Sequence, residues 1–219
     1  MHKHVTLNRN AQSVLERTGM LLLLSAGAVT MAVPFLWMVS TSLKYPVDIF
    51  SLPPQWIPER VTLDHYVRAW WIVHFDRFML NSFIIALGVV IGRLVVCSMA
   101  AYAFARLRFP FRDTLFLAYI GTMMLPWEVT LIPSYLVIKW FNWLDTYQAL
   151  IVPFLANPFG TFLLRQFFIT IQQELEDAAR IDGCNTFQTI WHIFLPLARG
   201  PLAIVGVISF MFGWNEFLW

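Results

Sequence analysis

Polar and apolar positions along this chain fall into long blocks rather than the short period of a soluble helix or strand. Apolar runs cover residues 20–43, 80–104, 115–136, 147–168 and 201–219. Each has the ~20 residues that a helix needs to cross the hydrocarbon core. Pro126 and Pro133 interrupt the third run, and Pro153 and Pro158 the fourth. The stretch 44–77 is polar, with Pro46, Pro53, Pro54 and Pro58 and charges of both signs. It also carries Trp56, Tyr66, Trp70 and Trp71, the residues expected near a membrane–water boundary. The pattern predicts an all-α integral membrane protein, a polytopic helical bundle with five spans.

Composition agrees. Charged residues are 13% of the chain and hydrophobic ones 58%, with a mean hydropathy of +0.63. A soluble domain carries about a quarter charged residues, so this chain could not cover a water-facing surface. A net charge of +2, with the basic residues scattered, gives no reason to expect nucleic acid. Cys97 lies in an apolar run and Cys184 in a polar loop, so the two make no disulfide framework. No phosphate-binding, zinc-protease or serine-hydrolase signature occurs, and neither cofactor nor metal is expected. His2 and His4 read as part of a mobile polar lead rather than a metal pair. The first apolar run is too long for a signal peptide, and no small-residue cleavage site follows it. No internal repeat of the secondary-transporter kind is visible.

Charge asymmetry sets the orientation. The short loop after the second run holds Arg106, Arg108 and Arg112, against the single Lys139 after the third. The positive-inside rule makes the former cytoplasmic. Counting spans then puts the amino terminus and residues 173–196 on the cytoplasmic side.

Residues 173–196, QELEDAARIDGCNTFQTIWHIFLP, are the only long charge-bearing passage between two membrane-length runs. They read as two short helices with a sharp break. The first places Leu175, Ala178 and Ala179 on one stripe, with Glu176 and Arg180 spaced for a surface ion pair. Gly183 supplies the stop, because glycine takes the left-handed conformation just past a helix end. Asn185 and Gln188 form a capping box for the second helix, and Pro196 ends it. That helix carries Phe187, Ile190, Trp191, Phe194 and Leu195 on one face. The expectation is that Phe187 and Trp191 are held by the body while Gln188 or Thr189 faces outward. His192 is expected to be solvated.

Asp177-Ala178-Ala179, Asp182-Gly183 and Ile193-x-Leu195-Pro196 together resemble the coupling loop of ABC-importer permeases, E-A-A-x-x-x-G followed by I-x-L-P. Asp177 stands where the family shows glutamate; the charge is kept on a side chain one methylene shorter. The likeness extends to Leu80-Asn81-Ser82, Phe109-Pro110, Met124-Leu125-Pro126, Leu131-Ile132-Pro133 and Gly213-Trp214-Asn215-Glu216-Phe217-Leu218-Trp219. These are similar to the carbohydrate-uptake branch, the maltose-type and multiple-sugar permease subunits. The resemblance implies an ABC transmembrane type-1 fold and a multi-pass inner-membrane location. It also implies two ATPase subunits, a homologous second permease and an extracytoplasmic solute-binding protein. The chain would then be no enzyme, and would form half of the path for a sugar or oligosaccharide. Asp177, Ala178, Ala179, Asp182, Gly183, Ile193, Leu195 and Pro196 would meet the ATPase. Members of this branch have a sixth span and a cytoplasmic tail, so the sequence reads as partial. The domain plan is a cytoplasmic lead 1–19, a first span 20–43, an extracytoplasmic loop 44–78 and a permease domain 79–219.

Charges inside the runs mark candidates for the path. Arg93 costs roughly 2.5–3.5 kcal/mol to insert, so it must face protein or water; Glu128 or Glu216 could pair with it, or it could line the path. Glu128 follows Pro126, where a broken helix can border a cavity, and Asn215 and Glu216 lie near the outer end of the last run. Gly88 and Gly92 read as a helix-packing pair. The alternatives are a permease of the same superfamily for glycerol 3-phosphate or another polar solute, a polytopic membrane enzyme, and a structural scaffold. The enzyme needs ionisable groups converging at one depth, and no spacing pairs Arg93, Glu128 and Glu216.

Overall fold

In the computed structural model the described residues are 3–72 and 74–216, and their side chains are described except at 3–13 and 15. The side chains of His2 and His4, and Phe217–Trp219 of the last motif, lie outside them. Every regular element among the described residues is helical. The chain divides into two compact units, 1–76 and 77–219.

The first unit holds α1 (Lys3–Ser42) and α2 (Asp64–Ile72). Helix α1 takes in most of the polar lead and continues unbroken through the first apolar run. None of its most hydropathic window, within Glu16–Ser42, is buried in the chain. A helix that is apolar all round and uncovered by protein is stable only in lipid. The loop after it closes on Lys44, which is 1% exposed. The Lys44 ammonium donates to the Gln55 carbonyl and sits 4.1 Å from the Trp37 ring centroid. Trp37 in turn packs edge-on against Trp56 at 5.0 Å.

The second unit is built around α3 (Phe75–Arg106), the one other helix among the described residues long and apolar enough to cross a membrane by itself. After it come α4 (Arg112–Gly121), α5 (Trp127–Trp140), α6 (Tyr147–Ile151) and α7 (Pro158–Thr170). They are followed by α8 (Gln173–Ile181), α9 (Thr186–Thr189), α10 (Leu195–Leu197) and α11 (Arg199–Trp214). Three bent pairs reach membrane length only together: 112–124 with 127–140 at 103°, 147–154 with 158–170 at 44°, and 186–197 with 199–214 at 87°. The first two bends have a chemical cause. Leu125 is extended (φ −79°, ψ 120°) because the ring of Pro126 excludes the helical region for the residue before it. Asn157 caps α7 by accepting from the Gly160 amide at 2.6 Å, and Pro158 starts that helix, where its missing N–H costs nothing.

The core joins α3, α7 and the segment 190–205: Cys97, Ala101, Tyr102, Leu164, Phe168, Ile190, Phe194, Ala198 and Val205 are all buried. Gly88 and Gly92 behave as the packing pair that their spacing suggests. A Cβ at Gly88 would lie 2.6 Å from Ile151 Cδ1, and one at Gly92 would collide with Leu155. Gly213 is less forgiving although its contact is longer, since its Cβ would meet the Ala86 Cα at 2.9 Å and backbone cannot swing aside as a side-chain tip can. Gly213→Ala is therefore expected to part α11 from α3 at a cost of about 1–3 kcal/mol, read as a lower melting temperature. Gly206→Ala, on the same helix with nothing within 4 Å, is the control and should melt like the parent.

Candidate functional site

The passage 173–197 folds as the expected helical hairpin, and its turn is fully specified by local chemistry. Gly183 has φ +84°. Its amide donates to the Arg180 carbonyl at 3.1 Å, and the Cys184 amide donates to the Ala179 carbonyl at 2.9 Å. These are the two bonds of a Schellman stop, which needs a left-handed residue between them. The next helix opens on a complete capping box. The Gln188 amide donates to Asn185 Oδ1 at 2.9 Å, and the Asn185 amide to Gln188 Oε1 at 2.8 Å.

Beyond Thr189 the helix widens into a π-helical stretch, Ile190–Phe194, and Pro196 is its cause. A proline in a regular helix lacks the N–H for the carbonyl four residues back and crowds it. A wider turn relieves that crowding. It also sets which face is buried. Inward positions recur every fourth residue, at Ile190, Phe194 and Ala198. Thr189 is 2% exposed and its hydroxyl donates to the Asn185 carbonyl at 3.0 Å. Phe187 and Trp191 are instead 68% and 67% exposed. This corrects the expectation that the body would hold Phe187 and Trp191; of Gln188 and Thr189, one of which was expected to face outward, it is Gln188 that does. Both aromatics border an apolar groove of about 600 Å³ whose other wall is Ile91, Val95 and Met99 of α3. His192 is exposed, its Nδ1 3.0 Å from the Gln188 carbonyl.

The hairpin is fastened to the bundle at two points. One is Phe194, fully buried, packed edge-on against Tyr102 at 4.9 Å and Phe168 at 5.1 Å. The other is Glu176, which is 4% exposed although it lies on the most polar helix of the chain. Its Oε1 accepts from the Tyr102 hydroxyl at 2.8 Å and from Arg180 Nη2 at 2.7 Å. Its Oε2 lies 3.6 Å from Arg106 Nε. Arg106 in turn donates through Nη2 to the Phe168 carbonyl at 3.0 Å and to the Ile171 carbonyl. One guanidinium thus ties the ends of α3 and α7 to α8. The Glu176 carboxylate also holds the Arg180 guanidinium above its ordinary range. The pairing of Glu176 with Arg180 is the one read from the sequence; the burial and the Tyr102 and Arg106 contacts are not. A carboxylate four residues from an arginine looks like a solvated pair, and its other partners lie some seventy residues earlier. The only hint was an arginine at the very end of an apolar run.

With those anchors inward, the motif residues divide. Ala179 is buried, and Ile193 and Leu195 are half-buried against the core. Asp177, Ala178, Asp182, Gly183 and Pro196 are exposed. Leu175 (44%) and Ile181 (86%) join them, so the outward surface of the first helix mixes acid with uncovered apolar groups. The anticipated stripe of Leu175, Ala178 and Ala179 is therefore split, because Glu176 and Ala179 face the bundle.

The path candidates lie elsewhere. Arg93 is 5% exposed; its Nε donates to the Phe154 carbonyl at 2.6 Å and its guanidinium lies 4.5 Å from the Phe212 ring centroid. Phe154 also contacts the Trp127 ring at 5.3 Å. Glu128 is exposed in the first turn of α5, and no ion pair joins it to Arg93. Asn215 caps α11, its side-chain amide donating to the Met211 carbonyl at 2.7 Å, and Glu216 follows it, half-buried. Among the described residues no group of acids, histidines and cysteines could hold a metal.

Residues 94–219 match the family described as "Binding-protein-dependent transport system inner membrane component". Over 205 residues the chain is 37% identical to the sn-glycerol-3-phosphate transport system permease protein UgpE of Agrobacterium fabrum, covering 90% of this chain and 73% of that one. It is 38% identical over 178 residues to the protein of the same name from Yersinia enterocolitica, and 43% over 145 residues to that of Yersinia pestis. Those two alignments take in 78% and 66% of this chain, but only 63% and 52% of the Yersinia proteins' length. A chain from the crystal structure of a bacterial ABC transporter involved in the import of the acidic polysaccharide alginate superposes with a TM-score of 0.85. It is 23% identical, over 95% of this chain and 74% of that one, and shares the fold. The chain belongs to the family of inner-membrane components of binding-protein-dependent transport systems.

Proposed function

We propose that this chain is one permease subunit of an ATP-driven, binding-protein-dependent importer, and that the hairpin 173–197 is where a cytoplasmic ATPase subunit takes hold. The observation that carries this is the hairpin's division of faces. Glu176 and Phe194 fix it to the ends of α3 and α7, while Asp177, Ala178, Ile181 and Gly183 are left uncovered. A rigidly attached lever with a free outer face can pass a partner's movement into the bundle, which is what alternating access requires. The amino terminus and the hairpin are cytoplasmic in this reading, as the arginine asymmetry suggests. Two ATPase subunits, a homologous permease and an extracytoplasmic binding protein complete the assembly, and ATP hydrolysis resides in the ATPases. The solute is a small polar one, a sugar or a glycerol phosphate. The names of the Agrobacterium and Yersinia relatives favour the glycerol phosphate.

Gly183 gives the test. Any side chain there carries the strain of a positive φ, about 1–2 kcal/mol, yet a Cβ at Gly183 meets nothing within 4 Å. Gly183→Ala and Gly183→Phe thus pay similar strain within this chain, and only a partner seated on the turn distinguishes them. The expected outcome is that Gly183→Ala still co-purifies with the ATPase, whereas Gly183→Phe loses it at least tenfold. Equal retention of the ATPase by both variants would remove the hairpin as the docking element.

A further inference from the structure

Between the end of α3, the loop that follows it and the inner face of α8 lies a polar pocket of about 570 Å³. Arg106, Arg108, Arg112 and Arg180 line it against the single carboxylate of Glu176, with Gln173 at its edge. We propose that this pocket binds a phosphate group. Two acids pair with these four guanidiniums, Glu176 in the pocket and the exposed Asp113 beside Arg112, which leaves a local excess of positive charge. Arg106 Nε is buried with no hydrogen-bond partner, 3.6 Å from the Glu176 carboxylate. Arg108 makes no hydrogen bond or ion pair among the described residues. Arg112 spends its donors on the exposed Asp113, at 3.2 Å, and on the Leu107 carbonyl at the limit of bonding distance. Planar guanidiniums with spare N–H groups recognise phosphate oxygens two at a time. Basic pockets between membrane helices at the cytoplasmic surface are the usual seat of anionic lipid headgroups. The phosphate is therefore either that of an inner-leaflet phospholipid or that of a soluble compound. The lipid source rests on the cytoplasmic-side reading given above; the soluble one does not. A phosphate bridging Arg108 and Arg112 to Arg180 would tie the loop after α3 to the hairpin, beside the anchor at Glu176.

The test uses the full chain in neutral detergent, titrated separately with phosphatidylglycerol, phosphatidylcholine and inorganic phosphate. The variant is Arg108→Gln with Arg112→Gln, neither of which touches Glu176. At least one phosphate probe is expected to bind the parent, and the variant to bind it about tenfold more weakly or worse. The variant's melting temperature should be unchanged, and Arg108→Lys with Arg112→Lys should restore part of the affinity. Phosphatidylglycerol binding that phosphatidylcholine cannot reproduce identifies the lipid source; saturable binding of inorganic phosphate identifies the soluble one. If neither phosphate probe binds the parent, or if the glutamine pair binds as well as the parent, the site is overturned. Because the readout is binding, failure of the ATPase experiment with Gly183 leaves the result interpretable.

Discussion

Glu176→Ala is expected to free the first hairpin helix from the bundle and abolish coupling, with a stability loss of about 3–5 kcal/mol. The reason is the asymmetry between making and breaking a buried charge pair. Arg106, with its side chain 12% exposed, would lose its carboxylate, and the buried Tyr102 hydroxyl would lose its acceptor. Arg180 contributes little to the loss, since it is 60% exposed and can turn to water. Glu176→Gln keeps an oxygen for Tyr102 and Arg180 but not the charge that faces Arg106, so its loss should be smaller. Thermal unfolding of the purified chain measures the stability loss. Trypsin cleavage after Arg180, faster in the alanine variant than in the parent, measures the release of the helix. An alanine variant as stable and as slowly cut as the parent would mean that Glu176 anchors nothing.

The other large effect is expected at Phe194. Removing its ring leaves a cavity between Tyr102 and Phe168, and such truncations cost about 3–5 kcal/mol. Phe194 also lies 5.4 Å beneath the Arg106 guanidinium, so both anchors share one neighbour. Phe194→Ala and Glu176→Ala should therefore lose less together than the sum of their separate losses, as coupled sites do. Phe194→Leu, which fills most of the space, should lose less than alanine. Strict additivity of the two alanine variants would show that the helices are fastened independently.

The parts of the hairpin legible in the sequence are those governed by neighbours in the chain. The Gly183 stop, the Asn185–Gln188 box and the break at Pro126 each depend on a few adjacent residues, and each is present. The Gly88–Gly92 spacing likewise announces close packing, although not that Ile151 and Leu155 fill it. Facing is another matter. Phe187 and Trp191 fall on the apolar side of an ideal helix, but the wider turn that Pro196 induces brings Ile190 and Phe194 inward instead. Glu176 was legible only as half of a local pair, because burial depends on Tyr102 and Arg106, which the chain brings from α3. Arg106 itself was counted among loop charges for orientation, yet its guanidinium closes a joint between three helices; Arg108 and Arg112 remain as the freer charges of that loop.

Coupling requires the hairpin to lie on the cytoplasmic side, and Cys184 reports on that directly. It sits just after the Gly183 turn, half-exposed, while the other cysteine, Cys97, is buried. A membrane-impermeant maleimide is expected to label Cys184 in inverted membrane vesicles and not in right-side-out ones, with Cys184→Ser unlabelled in both. Labelling of Cys184 from the outer face of sealed right-side-out vesicles would put the hairpin where no ATPase can reach it, and would contradict its role as the coupling element.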